Sequence, residues 1–486
     1  MTWFLEGRCT ALVLSLVSVL LWNSKVAAEP ERAKSADAFI DMMGVNGHLN
    51  FEGSVYMNHF ADRILPRAKE LGIRHWRDAL NPSDTVMNRQ FLLGQMGILF
   101  NLSVSVLDTG DMMATVKRVL PVLDAVEGPN ELDHGFRNGL PAYPDHSTRV
   151  YKGLSFPAIV PAIQNDIYAA IKGNPATKHL QVVMAGFSFP DNTVDVGIVS
   201  GCDCGNIHSY PDGGPPTYRL DDWYIPRMKA NSGPTKPLCA TETGYHNSLA
   251  PDVSHWIAGT SERAASKYML RIFFEYMNRG FHRAFLYEFI DGAPDGASAE
   301  GHFGLVHYDG TPKEQFTAVK NLISMLGDMG PDFSPGTLDY TLSGNTTLLN
   351  HTLLQKRDGT FYLALWLNVS SYNKNTKTDI DEKRNIQVTF NTPVNKLALG
   401  YPRNSAVFSA DVVVTPAMNV EVTDHPVLLR ITPKTLIVPP VGLFSNKSRQ
   451  TNQTQMHGQR NSKGLEIQMK EGMIRRANGR LDRPSR

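Results

Sequence analysis

The sequence predicts an α/β protein, a (β/α)8 TIM barrel followed by a C-terminal antiparallel β-sandwich domain. Eight short apolar runs alternate with helix-like stretches over about 290 residues, which is typical of such a barrel. After Asn321, short alternating strands bounded by Asn, Asp, Gly and Pro replace this pattern and indicate a sandwich. A doubly wound open sheet is the alternative fold, but no G-x-G-x-x-G motif follows the first predicted strand.

The composition is that of a globular protein with enough apolar residues for a large core. Of the 486 residues, 42% are hydrophobic and 20% are charged. The formal net charge is +1, so the chain as a whole offers no electrostatic case for nucleic acid as a partner. We expect the protein to be a monomer. We divide the chain into a signal peptide (1–28), a barrel (29–330), a β-sandwich domain (331–445) and a basic, disordered tail (446–486).

The N-terminus has the layout of a secretory signal. Arg8 precedes an apolar run from Ala11 to Trp22, and Val26-Ala27-Ala28 ends it with small residues. Cleavage near Ala28 would release a secreted protein without a membrane segment, since no other run approaches the roughly 20 apolar residues that a membrane helix needs. Glu6 is unusual ahead of such a run, and a one-helix membrane anchor is the alternative.

The barrel strands are predicted from runs that are apolar almost without interruption, as suits a parallel sheet covered on both faces. These runs begin at Phe39, Ile73, Ile98, Leu123, Leu180, Gly205, Pro237 and Arg283. The segment from Ser261 to Arg279 shows the intervening helical pattern, with apolar residues at helical spacing and Gly280 at the C-terminal cap.

The sandwich strands are predicted from segments that begin at Thr346, Thr360, Asn385, Ala406 and Val427. Beyond Ser445 the chain is polar and holds ten basic residues against three acidic ones. Such a composition cannot bury enough apolar surface to fold, so we interpret it as disordered. Two interpretations of this tail stay open, a solvated terminus and a patch that binds an acidic polymer or wall.

Three cysteines remain after the signal, namely Cys202, Cys204 and Cys239. They do not form a disulfide framework, although one bridge from Cys239 is possible because its segment and that of Cys204 are predicted to be neighbouring strands. The sequence does not choose between Cys202 and Cys204. A C-x-C pair with one distant cysteine lacks the paired spacing of a zinc site. We expect neither a metal nor a cofactor.

Polar and aromatic residues gather where the barrel strands end, which is where such barrels build their active sites. The strand ends supply Asn46 and His48, Arg77 and Asp78, Asn130 and Glu131, His208 and Tyr210, Glu242 and Tyr245, and Tyr287, Glu288 and Asp291. Six aromatic side chains near the mouth are candidates either for stacking on a sugar or for packing: Trp76, Tyr218, Trp223, Tyr224, Trp256 and again Tyr245.

Two glutamates end strands on opposite sides of the predicted barrel. Glu131 follows strand four in AVEGPNE, and Glu242 ends strand seven in LCATETGY. Cleavage of a glycosidic bond needs one carboxyl group to protonate the leaving oxygen and a second to attack or stabilise the sugar cation. The pair therefore predicts a glycosidase acting on a polysaccharide or oligosaccharide.

These motifs together resemble the retaining glycoside hydrolases of clan A. The resemblance rests on the Asn-Glu pair of strand four, the T-E-x-G-Y-type glutamate of strand seven, the arginine of strand two and H-x-Y on strand six. The barrel followed by a sandwich looks most like family 39. The stretch from Gly301 to Leu322 also looks like the closing segment of these barrels. The resemblance covers about Phe39 to Leu326, with a looser match to the sandwich.

The resemblance implies roles for individual residues. Glu131 would be the general acid/base and Glu242 the nucleophile. Asn130 would bind the hydroxyl next to the reacting carbon, while Tyr210 and Arg77 would keep Glu242 ionised. The other substrate-binding candidates are Asn46, His48, His208, Tyr245, Tyr287 and Glu288. The chain departs from the clan in having G-P-N-E instead of W-N-E-P, and Tyr287 and Phe289 where strand eight often carries Trp.

Three other classes of protein compete with this interpretation. A metal-dependent barrel hydrolase would need an H-x-H motif on strand one, which is absent. A non-catalytic carbohydrate-binding barrel is the main alternative, because a fold does not establish an activity. A structural cell-wall protein held by the basic tail would bind without turnover and with a strong salt dependence.

Overall fold

The barrel is formed by eight parallel strands, here called β1 to β8. The structure is a computed structural model that describes residues 30–106, 110–134, 136, 149–250, 257–296, 298–413 and 416–435. The strands are β1 Met43–Asn46, β2 His75–Ala79, β3 Leu99–Ser103, β4 Leu123–Glu127, β5 Gln181–Val183, β6 Gly205–Ser209, β7 Leu238–Thr243 and β8 Phe281–Leu286. The predicted signal, the whole of the predicted tail and the predicted domain boundary at 445 lie outside the described residues.

The eight strands close into a nearly complete barrel. Neighbouring strands pair in parallel in the order β5-β4-β3-β2-β1-β8-β7-β6. The ring closes between β5 and β6 through a parallel bridge of Val183 with Cys204 and a hydrogen bond from the Met184 amide to the Cys204 carbonyl (2.9 Å). The predicted barrel is confirmed. Because all strands run in parallel, their carboxyl ends meet at one mouth.

The helices cover the outside of the barrel. The α-helices are Ala36–Asp41, Val55–Asn58, Leu65–Leu71, Asp84–Gly94, Met112–Val119, Ile159–Lys172, Thr193–Val196, Ile225–Ser232, Glu262–Asn278 and Glu314–Leu326; π-helices span Phe60–Ile64 and Leu220–Tyr224, and short 3-10 turns span Leu120–Val122, Pro190–Asn192 and Glu300–His302. No helix among the described residues is long and apolar enough to cross a membrane.

The first predicted strand begins too early. Phe39 lies in the helix Ala36–Asp41, and β1 starts only at Met43. Ser35 caps this helix by accepting a hydrogen bond from the Ala38 amide (3.2 Å). Ala36, Phe39 and Ile40 are buried at helical spacing. A short apolar run does not by itself distinguish a helix from a strand, which explains the error.

The antiparallel sheets after the barrel confirm the predicted sandwich. One sheet has the strand order Val412–Val413, Val394–Gly400, Val427–Pro433, Phe361–Leu367, Leu349–Gln355 and Lys34–Ser35, and a second has the order Tyr340–Gly344, Lys383–Phe390 and Ala417–Thr423. Tyr372–Asn373 pairs with Thr378–Asp379 as a small hairpin. A separate apolar core is buried between the sheets. The predicted strand from Ala406 is wrong except for Val412–Val413.

The first described residues belong to the sandwich and not to the barrel, in contrast to the predicted division of the chain. Glu31–Arg32 pairs with Thr337–Leu338. Lys34–Ser35 pairs in parallel with the end of Leu349–Gln355, where it forms the edge of the larger sheet. Ala33, between the two short strands, is buried in the sandwich core.

The helix Glu262–Asn278 joins the barrel to the sandwich. Its Lys267 is buried and donates to Asp424 (2.8 Å) and Asp381 (2.6 Å). Its Arg271 donates to the carbonyl of Val369 (2.8 Å). Since a buried cation is tolerated only when it is paired, these contacts hold the two units against each other.

The one cysteine bridge among the described residues joins the starts of β6 and β7. Cys204 pairs with Cys239, while Cys202 is a buried free thiol. The neighbouring positions of β6 and β7 bring the two sulfurs together, which settles the choice that the sequence left open.

Candidate active site

Glu131, His208 and Glu242 meet at the mouth of the barrel. Glu131 follows β4, His208 lies in β6, and Glu242 lies near the end of β7. The His208 Nδ1 atom lies 2.6 Å from Glu131 Oε1 and 3.6 Å from Glu242 Oε2. One carboxylate oxygen of each glutamate and one ring nitrogen of His208 all lie within 4.8 Å of one another. The structure therefore brings the two predicted carboxylates together.

Glu131 sits on a backbone conformation that is uncommon for a residue with a side chain. Its φ is 43°, in the left-handed region, and its amide donates to the Gly186 carbonyl (3.1 Å). Gly186 is required at this contact, because a Cβ there would lie 2.3 Å from His208 Nε2. Such strain is typical of functional sites, where the surrounding structure holds a residue in place.

Arg77 connects Glu242 to the residues beneath it. Its Nη1 donates to Glu242 Oε1 (2.6 Å) and to Asn46 Oδ1 (3.0 Å), and its Nη2 donates to Asn130 Oδ1 (2.6 Å). Tyr210 donates to the other oxygen of Glu242, Oε2, at 2.7 Å. Both carboxylate oxygens of Glu242 therefore accept hydrogen bonds that favour its ionised form.

Glu127, at the end of β4, is a functional candidate that the sequence analysis missed. It is 0% exposed. Arg77 donates to both of its oxygens, from Nε (3.0 Å) and Nη2 (2.8 Å). Asn101 (2.7 Å), Asn206 (3.2 Å) and Thr241 (3.1 Å) also donate to it. Glu127 thus anchors the guanidinium that holds Glu242. The available signal was a glutamate within a run that is predicted to be buried, because buried glutamates are rare unless paired.

The contact between Glu131 and His208, 2.6 Å long, is placed to carry a proton. The Thr241 hydroxyl can donate to Glu127 (3.1 Å) or to Asn206 Oδ1 (2.8 Å), so its oxygen is left to accept from His208 Nε2, 3.0 Å away. His208 Nδ1 then either donates its own proton to Glu131 or accepts the proton of Glu131. This contact therefore places a transferable proton at the mouth of the barrel.

The environments of the two glutamates push their pKa values apart. Burial opposes ionisation of Glu242, but His208, Arg77 and the Tyr210 hydrogen bond together lower its pKa below the ordinary value. Burial raises the pKa of Glu131, and the nearby negative charge of Glu242 adds to the increase. Two carboxyl groups whose pKa values are separated in this way are suited to act as a base or nucleophile and as an acid.

The β1 and β8 side of the mouth holds a second group of polar side chains. Tyr56 donates to Glu288 Oε2 (2.9 Å), and His48 Nε2 lies 3.4 Å from the same oxygen. His48 Nε2 also lies 3.3 Å from the hydroxyl of Tyr287, which donates to Glu300 Oε1 (2.7 Å). His48, Tyr287 and Glu288 were predicted, whereas Tyr56 and Glu300 lie on the following helical segments and were missed.

Phe51 is an exposed aromatic side chain beside this group and was also missed. It is 51% exposed, and its ring stacks on that of His48 with a centroid distance of 4.3 Å and an interplanar angle of 17°. Its position in the loop after β1 carries no pattern that distinguishes it from an ordinary loop residue.

Two of the predicted substrate-binding residues, Tyr245 and Asn46, are buried and bonded to other parts of the protein. Tyr245 is 1% exposed, donates to the Gly214 carbonyl (2.9 Å) and stacks on Tyr268. Its position just past the end of β7 did not reveal that its side chain turns into the core. Asn46 is also buried and is held between Arg77 and the Thr241 carbonyl (2.9 Å), so it supports Arg77 and does not line the mouth.

Most of the other aromatic candidates pack in the core. Trp76, Trp223 and Tyr224 are buried, whereas Tyr218 is partly exposed. Trp256 lies outside the described residues. The predicted strand-end acids Asp78 and Asp291 bond to groups of the protein itself. Asp78 accepts from the Leu49 amide (3.1 Å). Asp291 accepts from the Gly304 amide (2.9 Å) and from Lys313 Nζ (2.8 Å).

Glu131, His208 and Glu242 are the one cluster, within the part of the chain that is described, with a donor geometry able to hold a metal ion. Glu242 already accepts a hydrogen bond from the cationic Arg77 at 2.6 Å, which opposes a second cation on the same carboxylate. That the protein needs no metal stays a prediction.

Comparison with solved structures shows that the fold is that of glycoside hydrolases. A family 39 glycoside hydrolase from the gut symbiont Bacteroides cellulosilyticus WH2 matches with a TM-score of 0.55 and 14% identity, over 82% of each chain. A glucosidase from Croceicoccus marinus matches with a TM-score of 0.50 and 11% identity, over 84% of this chain and 98% of that one. No protein-family model matches the sequence, and no curated protein matches it significantly. The predicted resemblance to family 39 is thus confirmed for the fold.

Proposed function

We propose that the protein is a glycoside hydrolase that cleaves O-glycosidic bonds with retention of anomeric configuration. The observation that carries the proposal is the approach of Glu131 and Glu242, whose nearest carboxylate oxygens lie within 4.8 Å at the barrel mouth. Retaining enzymes hold their carboxyl groups about 5–5.5 Å apart, whereas inverting enzymes leave about 6.5–9.5 Å for a water molecule. The fold shared with known glycoside hydrolases supports the same reaction class.

In this mechanism Glu242 is the nucleophile. Arg77 and Tyr210 hold its two oxygens, so it is ionised and fixed in direction when the sugar binds. It attacks the anomeric carbon while Glu131 gives its proton to the leaving oxygen, which breaks the glycosidic bond and forms a glycosyl ester on Glu242. Asn130, oriented by Arg77, is placed to bind the hydroxyl next to the reacting carbon.

The second half of the reaction uses the same groups in reverse. Glu131, now ionised, takes a proton from water, the resulting hydroxide attacks the anomeric carbon, and Glu242 leaves as a carboxylate. His208 bonds to Glu131 at 2.6 Å and stabilises its ionised form during this step. Each half-reaction inverts the anomeric centre, so the product retains the starting configuration.

The test uses alanine variants of both glutamates. Glu242→Ala should abolish turnover on all substrates. Glu131→Ala should retain activity on aryl glycosides whose leaving group needs no protonation, and added azide should partly restore turnover by replacing water. Glu421→Ala, at an exposed sandwich position, is the control for the substitution itself.

Two outcomes would contradict the assignment. NMR of the fresh product should show the starting anomer, and an inverted product would exclude the mechanism. A Glu131→Ala enzyme that is as active as wild type on natural glycans would exclude Glu131 as the acid. If a panel of plant, fungal and bacterial polysaccharides is bound but never cleaved, the protein is instead a carbohydrate-binding barrel.

We also propose that the mature chain is secreted and begins near Glu29. The support is the leader of Arg8, an apolar run and Val26-Ala27-Ala28 in the sequence. N-terminal sequencing of the exported protein should find a start close to Glu29. Retention of Met1 in a membrane fraction would favour the anchor instead.

A further inference from the structure

The turn that carries Glu131 is fixed at two points to the segment that follows β5. On one side of the turn, the Glu131 amide donates to the Gly186 carbonyl (3.1 Å). On the other side, the carboxylate of Asp133 bonds to residues further along the same segment. These contacts are here called the Asp133 clasp, and the partners of Asp133 in it are Ser188, Phe189 and Asn192.

Asp133 is fully buried, and both of its carboxylate oxygens are bonded. It is 0% exposed. Its Oδ1 accepts from the Ser188 amide (2.9 Å), and its Oδ2 accepts from the Ser188 hydroxyl (3.1 Å), the Phe189 amide (3.0 Å) and Asn192 Nδ2 (2.9 Å). An ionised carboxyl group only accepts hydrogen bonds, so four donors from one segment match it. Bonds of this kind are stronger than bonds between neutral groups, and the clasp therefore ties the turn firmly to the segment.

The segment after β5 is itself fixed to the barrel on its other side. It continues into the 3-10 turn Pro190–Asn192. Asp191, in the middle of this turn, accepts from Trp223 Nε1 (2.9 Å) and Arg227 Nε (2.9 Å), which both lie on the helical segment after β6. The clasp therefore joins the turn to a segment that has further bonds to the barrel.

Glu131 needs such support because its backbone conformation is unfavourable. Its φ of 43° lies in the left-handed region, which is strained for a residue that has a Cβ. The His134 amide donates to the Glu131 carbonyl (3.0 Å), so Glu131 and Asp133 belong to the same turn. Leu132, between them, is buried in the core of the barrel. A strained conformation persists only where the surrounding contacts impose it, and Asp133 supplies four of these contacts.

We infer that Asp133 is a positioning residue for the proposed acid, and that the clasp keeps the carboxyl group of Glu131 in its place against His208. This inference rests on the proposed glycosidase function. Glu131 Oε1 lies 2.6 Å from His208 Nδ1. A displacement of about 1 Å in a reacting group can lower the rate by about 100-fold. Asp133 acts on the reaction only through Glu131.

Loss of the clasp should affect leaving groups unequally. The acid is needed where the leaving oxygen must take up a proton, and it is not needed where the leaving group departs as a stable anion. The proposed nucleophile Glu242 is held separately, by Arg77 (2.6 Å) and Tyr210 (2.7 Å). An effect that acts through the acid therefore depends on the leaving group, whereas a general loss of folded enzyme lowers all rates equally.

The test is the variant Asp133→Asn, assayed on two glycosides of a sugar that the wild type cleaves. The substitution keeps the size of the side chain but replaces one acceptor oxygen by an NH2 group, which faces the donors of the clasp. On a phenyl glycoside, whose leaving oxygen needs a proton, kcat/KM should fall by about 100-fold. On the dinitrophenyl glycoside it should stay close to the wild-type value. Equal falls on both substrates would overturn the inference.

Asp78→Asn is the matched control. Asp78 is also a buried acid at the mouth, but it accepts from the amides of Leu49 (3.1 Å) and Ala79 (2.8 Å), on the β1 and β2 side. Whatever this variant loses in stability, its ratio of kcat/KM on the two glycosides should equal that of the wild type. A change in the ratio as large as that of Asp133→Asn would overturn the inference.

A milder variant covers the case in which Asp133→Asn does not fold. Asn192→Ala removes one of the four donors to Asp133 and leaves the carboxylate intact. It should shift the ratio of kcat/KM in the same direction as Asp133→Asn, by a smaller factor. An unchanged ratio in Asn192→Ala, where Asp133→Asn does not fold, would overturn the inference.

The crystal structure of Asp133→Asn, or of Asn192→Ala, separates failure of this inference from failure of the proposed function. A wild type that cleaves no glycoside contradicts the glycosidase, but the position of Glu131 can still be measured. Its carboxyl group should lie about 1 Å or more away from its wild-type position against His208. A contact between Glu131 and His208 that is unchanged in the variant would overturn the inference, whether or not the wild type is active.

Discussion

The hydrogen bond from Tyr210 to Glu242 offers the sharpest test of the site. It is 2.7 Å long, buried, and ends on Glu242 Oε2. Tyr210→Phe removes the hydroxyl and keeps the ring, which packs against Phe303. Since the bond favours the ionised carboxylate, its removal should raise the pKa of Glu242.

The size of this effect follows from the energy of a hydrogen bond to a charged group. Such a bond contributes about 1.5–3 kcal/mol, and one pKa unit corresponds to about 1.4 kcal/mol. Arg77 still donates to the other oxygen at 2.6 Å in the variant, so we expect the lower end of the range. The pKa of Glu242 should rise by about one unit.

The assay is the pH dependence of kcat/KM on a substrate that the enzyme cleaves. The acid limb of this profile reports ionisation of the nucleophile in the free enzyme. Because Glu242 must be ionised to attack, a higher pKa moves the acid limb of Tyr210→Phe to higher pH by about one unit.

Folding stability gives a second readout of the same bond. The folded-state pKa of Glu242 lies below its unfolded value. Its contribution to stability is therefore present above the unfolded pKa and lost as the pH falls through the folded pKa. Tyr210→Phe should lower the free energy of unfolding by about 1.5 kcal/mol at pH 7, with a smaller difference in acid.

Tyr245→Phe is the matched control. It also deletes a buried tyrosine hydroxyl, but one that bonds to the Gly214 carbonyl. It should cost stability without moving the acid limb. An unmoved limb in Tyr210→Phe, or an equal shift in the control, would refute the assignment of Glu242 as the ionised nucleophile.

Three further predictions concern the residue beneath Arg77 and the two ends of the chain. Glu127→Gln should lower the free energy of unfolding by about 3 kcal/mol and reduce kcat, because it breaks a buried pair with Arg77; wild-type stability in urea would show that Glu127 is not an anchor. Deletion of residues 29–35 should destabilise the sandwich by about 2 kcal/mol, since backbone hydrogen bonds and the burial of Ala33 are lost, and an unchanged melting temperature would contradict this. Truncation after Ser445 should leave the melting temperature within about 1–2 °C; a larger drop would mean that the tail packs on the body.

The barrel could be predicted from sequence because its strands are buried on both faces. Most of the strand segments are therefore largely apolar, and their alternation with helices identifies the fold. The sandwich strands were harder, because several of them, such as Lys383–Phe390 and Ala417–Thr423, are exposed on one face. Val394–Gly400 and Ala417–Thr423 contain exposed polar residues and were not recognised. The two-residue strands Glu31–Arg32 and Lys34–Ser35 are too short to show any period, and only their partners define them.

The candidate site was likewise predicted only in part. The ends of the predicted strands indicate which residues lie at the mouth. Glu131 and Glu242 were identified in this way, and the structure places them close together. The strand ends do not predict the direction of a side chain, and the burial of the Tyr245 side chain in the core was not foreseen. The strand ends also do not indicate which residues lie inside the barrel, beneath the mouth. Glu127 accepts five hydrogen bonds from residues that are far from it in the sequence, so its role in holding Arg77 follows only from the three-dimensional structure.

The pairing of the first strands with the sandwich affects how the chain can fold during its synthesis. Lys34 pairs with Leu354, so the strand it belongs to has no partner until the ribosome has passed that point. At typical synthesis rates this delay is on the order of tens of seconds. The barrel segments are synthesised before the sandwich and can assemble first. Residues 31–35 at the start of the nascent chain stay unpaired until the sandwich is translated. A nascent chain that stalls after Leu326 would therefore display an unpaired leading segment, which a ribosome-bound protease assay would detect as a cleavable end.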